Sequence, residues 1–264
     1  MKDHLCFWSI ATGPYAAMAQ SLVDSARHAG VFKDFHIWTD TAIEGAKCRR
    51  LATAKAKGKF IQLELLDQQV RKLKYDYFVW LDADTYFVRH PGDILRVLQG
   101  APVHASLESN TALPKPLLPD WGPCSLSNFT TLMQFRGVRS QAVFTVNGGF
   151  WIVHHDVIDT FCGLTWDFWE FSRKVGYQLA VEPLLAYASQ MLCGNPYVHT
   201  LRHTADLWAT DTIGRFAGEV PTGGSWEFVD SFSGESFEVS PAIVHATHSK
   251  RALVARGRKR MAPL

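Results

Sequence analysis

Two aspartates one residue apart, Asp82 and Asp84, follow directly on the apolar run Tyr77-Phe78-Val79-Trp80-Leu81. In extended chain, alternate side chains point the same way, so both carboxylates turn to one side while the small Ala83 between them leaves room. Like charges held that close raise each other's pKa unless a cation neutralises them. A hard, oxygen-seeking ion such as Mn²⁺ or Mg²⁺, itself bound to the oxygens of a diphosphate, meets that need. The competing reading is a turn or capping pair, because Asp is common wherever a strand ends. The triplet alone leaves the two readings about level; the apolar strand before it favours the ion.

Other residues offer chemistry that fits such a site. His245 closes the apolar run Ala242-Ile243-Val244, and its imidazole suits Mn²⁺ better than Mg²⁺; a histidine there is as often a satisfied structural residue. His248, Lys250 and Arg251 follow it. Asn147-Gly148-Gly149 lies between two apolar runs, where glycines permit the close approach of a ligand and Asn supplies both a donor and an acceptor. Read locally, it is an ordinary hairpin turn. Thr12 and Tyr15 stand at the end of the first apolar run, Lys59 in a lysine-rich turn, and Glu182 just before Pro183. Their plain readings are a tyrosine packed on the sheet, a solvated lysine and a helix N-terminal charge favoured by the dipole.

These residues need a scaffold, and the order of elements describes one. Residues 5–11 read as a buried strand, 15–28 as an amphipathic helix stopped by Gly30, 35–39 as a strand, 61–73 as a helical pattern, and 77–81 as a central strand apolar on both faces. Alternation of that kind predicts parallel strands joined by crossover helices. A short helix over 93–98 and a strand over 103–107 follow. Residues 110–130, rich in proline and carrying Trp121, read as a long irregular loop, a feature that is usually functional or mobile. Strands over 142–146 and 150–153 flank the Asn-Gly-Gly triplet. Helices over 157–174 and 183–192 then lead to β segments at 225–229, 237–239 and 242–245. The predicted fold class is α/β, a mostly parallel central sheet flanked by helices with a smaller C-terminal β region.

The 264 residues suit one elaborated domain. Nine Trp and seventeen Phe imply a large aromatic core. A formal charge of +2 gives no general case for nucleic acid. The five cysteines, Cys6, Cys48, Cys124, Cys162 and Cys193, are scattered without a Cys-x-x-Cys pair, which suggests a reducing compartment. The first apolar run is too short for a signal peptide or anchor, and no other window approaches the ~20 apolar residues a membrane helix needs. A cytoplasmic protein is expected.

Leu81-Asp82-Ala83-Asp84 after a β run resembles the Asp-x-Asp site of GT-A-fold glycosyltransferases, and in detail that of family 8, the group of glycogenin and the bacterial lipooligosaccharide galactosyltransferases. Three further segments match the group in order. Ile10-Ala11-Thr12-Gly13-Pro14-Tyr15 resembles the nucleotide-binding end of the first strand, Asn147-Gly148-Gly149-Phe150 its Asn-small-Gly turn, and Ile243-Val244-His245 the strand ending in a metal-binding His. The matches span residue 5 to about residue 250. The chain departs from the group's His-x-x-Gly-x-x-Lys: His248 fills the Gly slot and Arg251 the Lys slot.

The resemblance implies a metal-dependent hexosyltransferase, retaining in stereochemistry, that moves a sugar from a nucleotide-diphosphate donor, a UDP-sugar, to a saccharide, lipid-linked or protein acceptor. It implies Asp82, Asp84 and His245 as metal ligands. Thr12, Tyr15, Lys59, Ala83, Gly148, Gly149, His248, Lys250 and Arg251 would join the aspartates in binding the donor. Asn147 and Glu182 would act beside the transferred sugar. Residues 1–250 would form one catalytic domain, with a nucleotide-binding half over 1–108 and an acceptor half over 109–250, and 251–264 a basic tail. Two rival classes remain: a metal-dependent nucleotidyltransferase, which would want a better glycine-rich basic loop than Ala11-Thr12-Gly13-Pro14, and a catalytically silent sugar-binding protein. Six basic residues within 250–260 suggest peripheral contact with an anionic membrane, or else a solvated end.

Overall fold

The computed structural model describes residues 4–51, 60–110, 124–139, 144–193, 204–210, 215–216, 225–229, 236–247 and 250. In chain order the elements are β1 (Leu5–Ala11), α1 (Tyr15–His28), β2 (Asp34–Thr39), β3 (Lys47–Arg50), α2 (Ile61–Gln68), β4 (Tyr77–Leu81), β5 (Thr85–Phe87), β6 (Val103–Asn110), α3 (Leu126–Phe135) and β7 (Phe144–His154). Then come α4 (Ile158–Lys174), α5 (Val181–Cys193), β8 (Trp208–Thr210), β9 (Arg215–Phe216), β10 (Trp226–Val229), β11 (Ser236–Val239) and β12 (Ile243–His245).

A six-stranded sheet runs in the order β3-β2-β1-β4-β7-β6. As the alternation predicts, β1 is parallel to both β2 and β4, and β2 to β3. The strand β7 then pairs antiparallel with β4 and with β6. The parallel strands end together at one edge, so Thr12, Asp40 and Asp82 all leave the sheet on the same side, the side where open α/β sheets bind ligands.

Strand alternation divides the core in two. Leu5 and Phe7 face α1, meeting Met18, Leu22 and Val23. Cys6 and Trp8 face the opposite layer, with α2, α4 and α5. There Trp8 touches Trp38, Trp80 and Trp151, with ring centroids 5.9, 4.5 and 5.4 Å apart. That indole layer includes Trp80 of β4, the strand that Asp82 directly follows.

Two smaller sheets complete the fold, β11-β10-β9 and β5-β12-β8. In the second, β12 pairs antiparallel with β5, placing His245 opposite Thr85, and parallel with β8.

Several local expectations change. Asn147-Gly148-Gly149 does not separate two strands; β7 runs through it. The register with β6 passes from Ala105↔Trp151 to Leu107↔Val146, so Ser106 alone faces residues 147–150. The glycines are thus used for a bulge that pushes backbone out of the ladder, not for a hairpin. The irregular loop expected to reach residue 130 gives way earlier to α3. Ser125 accepts a hydrogen bond from the Asn128 N–H and caps it, and Phe129, Leu132 and Met133 give it a buried stripe. The helical pattern over 61–73 is α2 followed by a separate 3₁₀ turn at Val70–Lys72. Strand β3 has no alternation to reveal it, since all its residues are exposed on the sheet edge. Among the described residues, no helix is long and apolar enough to cross a membrane.

Candidate metal and donor site

Asp82 and Asp84 follow the end of β4 at the carboxyl edge of the parallel strands. The backbone N–H of Asp82 donates to the Gly149 carbonyl, tying the bulge of β7 to the first carboxylate. The chain turns at once into β5, where the Asp82 carbonyl accepts from the Thr85 N–H. Pairing of β5 with β12 then delivers His245, and the Ala246 N–H donates to the Asp84 carbonyl.

The side chains converge. His245 Nε2 lies 3.1 Å from Asp84 Oδ1 and 3.6 Å from Asp82 Oδ2. One ligand atom from each of the three residues falls within 4.8 Å of the others. Neighbouring ligands of an octahedral ion with bonds near 2.1 Å sit about 3 Å apart and opposite ones about 4.2 Å, so this donor set fits such an ion with little adjustment. Two carboxylate oxygens and one imidazole nitrogen form a donor set that a divalent cation could take.

Surrounding groups fix the orientation of each ligand. Trp80 Nε1 donates to Asp82 Oδ1 at 3.1 Å, leaving Oδ2 turned toward His245. Lys250 Nζ binds Asp84 Oδ2 at 2.9 Å, leaving Oδ1 for the same point. Trp208 stacks on the His245 ring at 5.8 Å, and Thr247 Oγ1 lies 3.4 Å from its Nε2. Gly149 must lack a side chain: a Cβ there would lie 2.7 Å from His245 Nδ1 and 2.9 Å from Asn147 Oδ1.

The electrostatics separate the two aspartates. Desolvation of its carboxyl, reinforced by the Asp84 and Glu182 charges, pushes Asp82 up to about 7 against the pull of His245. Burial acts on Asp84 in the same direction, but hydrogen bonds and charge from His245 and Lys250 outweigh it and hold Asp84 well below the usual carboxylate range. Asp84 is thus already matched by cationic partners, while at Asp82 burial and the neighbouring carboxylates outweigh the pull of the same cations.

The remaining expected residues distribute unevenly. Glu182 lies in the first turn of α5 and also faces the bulge, its Oε1 only 3.1 Å from where a Cβ on Gly148 would be. Asn147 is buried, and its Oδ1 accepts from the Gly149 N–H at 2.8 Å, so it shapes the bulge as well as bordering the site. Tyr15 is 45% exposed and its ring centroid is 6.0 Å from Lys250 Nζ. It is therefore not the packed residue of the plain reading. Thr12 opens the turn before α1, its carbonyl accepting from the Tyr15 N–H, and Asp40 holds the next residue through the Gly13 N–H. Ala83 is buried between the two aspartates. Lys59, His248 and Arg251 lie outside the described residues, as do the tail 251–264 and positions 111–123 of the expected loop.

Trp80 and Trp208 are contributors that the sequence reading did not identify. Trp80 was findable, because it is two residues before Asp82 in extended chain and so shares its face. Nothing near Trp208 in the sequence points to His245; parallel pairing of β8 with β12 brings it there.

No protein-family model matches this chain, and no curated protein matches it.

Proposed function

We propose that the chain is a GT-A-type glycosyltransferase that moves a sugar from a nucleoside-diphosphate donor, a uridine diphosphate sugar, to a hydroxyl of a saccharide, lipid-linked or protein acceptor. The observation that supports this best is the convergence of Asp82, Asp84 and His245 at the carboxyl ends of parallel strands. A divalent ion held by these residues would supply positive charge to the diphosphate as the anomeric C–O bond breaks.

The protein's own groups divide the rest of the work. Lys250, anchored on Asp84, adds a second positive charge on the phosphate side. Tyr15 offers a half-exposed ring on which a nucleobase can stack. The bulge at Gly148 and Gly149 lets a sugar approach the backbone closely, with the Asn147 amide and the Glu182 carboxylate as its polar neighbours. For a retaining transfer, donor phosphate can assist deprotonation of the acceptor on the same face; the covalent alternative would use Glu182 as nucleophile.

The test is product analysis with a panel of sugar nucleotides, with and without Mn²⁺. Release of uridine diphosphate that requires Mn²⁺ is the expected result. Formation of pyrophosphate would instead indicate nucleotidyl transfer. Tight Mn²⁺-dependent binding of donor without turnover on any acceptor offered would favour the silent sugar-binding protein.

A further inference from the structure

Asp84 has two claimants. Its Oδ1 lies 3.1 Å from His245 Nε2, on the side where the three candidate metal ligands converge, and its Oδ2 takes Lys250 Nζ at 2.9 Å. Only 6% of the Asp84 side chain is exposed, so solvent does little to weaken either contact. A carboxylate already balanced by an ammonium has little charge left to offer an ion. A divalent ion arriving alone would meet the full charge of Asp82 only, with a cation standing on its other carboxylate ligand.

Lys250 also has somewhere to go. Its side chain is 38% exposed, so the ammonium can leave Asp84 for water without crossing the core. Its Nζ is also 6.0 Å from the centroid of the Tyr15 ring, the surface offered above to a nucleobase. A nucleoside diphosphate joins its base to its phosphates through the ribose. A donor whose base stacks on Tyr15 and whose phosphates share an ion with Asp84 therefore brings its negative charge to this ammonium. The plain alternative is a permanent ion pair that neutralises a buried carboxylate. Such a pair is held best when both partners are shut away from water, and Lys250 is more than a third exposed.

We propose that Lys250 is a displaceable counter-ion of Asp84, which holds that carboxylate against an ion coming alone and moves to the diphosphate when ion and donor come together. The inference rests on the metal and donor reading above. It adds that the two ligands bind as a unit, because one side chain makes each depend on the other.

The test is titration of the full chain with Mn²⁺, followed by electron paramagnetic resonance, without uridine diphosphate and with saturating uridine diphosphate. Lys250→Met keeps the stem and removes the charge. Without nucleotide this variant should bind Mn²⁺ at least about fivefold more tightly than the parent, since the competitor for Asp84 is gone. With nucleotide the two proteins should agree within about twofold, since the parent's ammonium has already left. Lys250→Arg should restore the parent's pattern. If the Met variant does not fold, Lys250→Gln, whose amide can still donate to Asp84, is read by the same two titrations. Mn²⁺ binding that is unchanged or weaker without nucleotide would make Lys250 a fixed anchor and overturn the proposal. Equal tightening with and without nucleotide would make it a charge that never moves, and would overturn it too. Both outcomes leave the donor reading standing, whereas a parent that binds no uridine diphosphate in the presence of Mn²⁺ would overturn that reading and this inference together.

Discussion

Gly149 lies so close to His245 that a methyl group on its Cα would stand 2.7 Å from Nδ1 and 2.8 Å from Cε1 of the imidazole. The bulge of β7 is therefore the back wall of the site. Gly149→Ala should displace the ring, weakening Mn²⁺ binding at least about tenfold and costing roughly 1–3 kcal/mol of stability through overpacking. Paramagnetic titration of Mn²⁺ and chemical denaturation check the two effects. Wild-type Mn²⁺ affinity in this variant would show that the imidazole is not a ligand.

The two aspartates should respond differently to neutralisation. Asp82 is pushed up to about 7, so at pH 8 its ionised form costs the folded chain some stability. Its side chain is 35% exposed, which reduces the effect to about 1 kcal/mol. With chelator present, Asp82→Asn should be as stable as the parent or slightly more so. Asp84→Asn breaks the contacts with His245 and Lys250 and should be less stable by roughly 1–3 kcal/mol. Both substitutions should abolish Mn²⁺-dependent donor turnover. Full turnover in both would remove the basis for the metal site.

Trp80 should act through Asp82. Trp80→Phe keeps an aromatic ring in the indole layer but removes the donor to Oδ1, freeing the carboxylate to rotate. Mn²⁺ affinity is expected to fall roughly tenfold while stability falls by about 1–2 kcal/mol. A loss of stability with unchanged affinity would leave Trp80 a packing residue only.

The far end of β2 supplies a pH dependence separate from the site. His36 is buried, its Nδ1 accepting from Arg49 Nε and its Nε2 meeting the Tyr75 hydroxyl, which in turn bonds Asp34; Lys47 pairs with Asp34 beside it. Burial first, then the charges of Arg49 and Lys47, push His36 down from 6.5 to about 4. The unfolded chain therefore binds the proton that the folded chain refuses. This contribution is fully present above about pH 6.5 and is lost as pH falls toward 4, by about 2–3 kcal/mol. Asp34, held below its usual range by the Tyr75 hydrogen bond and Lys47, adds a loss of the same sign at still lower pH. Urea midpoints between pH 7.5 and 4.5 measure the slope, which His36→Gln should flatten. An equally steep slope in that variant would assign the dependence to other groups.

Local pattern determined the elements that hold most of the site. The bounds of β1, α1 and β4 follow from an apolar run, a 3.6-residue stripe and a run buried on both faces, each complete within a few turns of chain. The spacing of Asp82 and Asp84 also fixes their common direction without reference to anything distant. Periodicity carries no information about long-range pairing, however, and three decisive features depend on it. His245 meets Asp84 because β12 pairs with β5, a three-residue strand too short to show a pattern of its own. Gly149 lies against the imidazole because β7 bulges opposite Ser106 in β6, where the local sequence was equally compatible with a hairpin turn. Lys250 lies against both Asp84 and Tyr15, residues far from it and from each other in the chain, a meeting that no local window shows. The sequence alone determined the chemistry available; which residues share one point was decided by strand pairings between segments far apart in the chain, whose stabilisation comes from contacts absent in any local window.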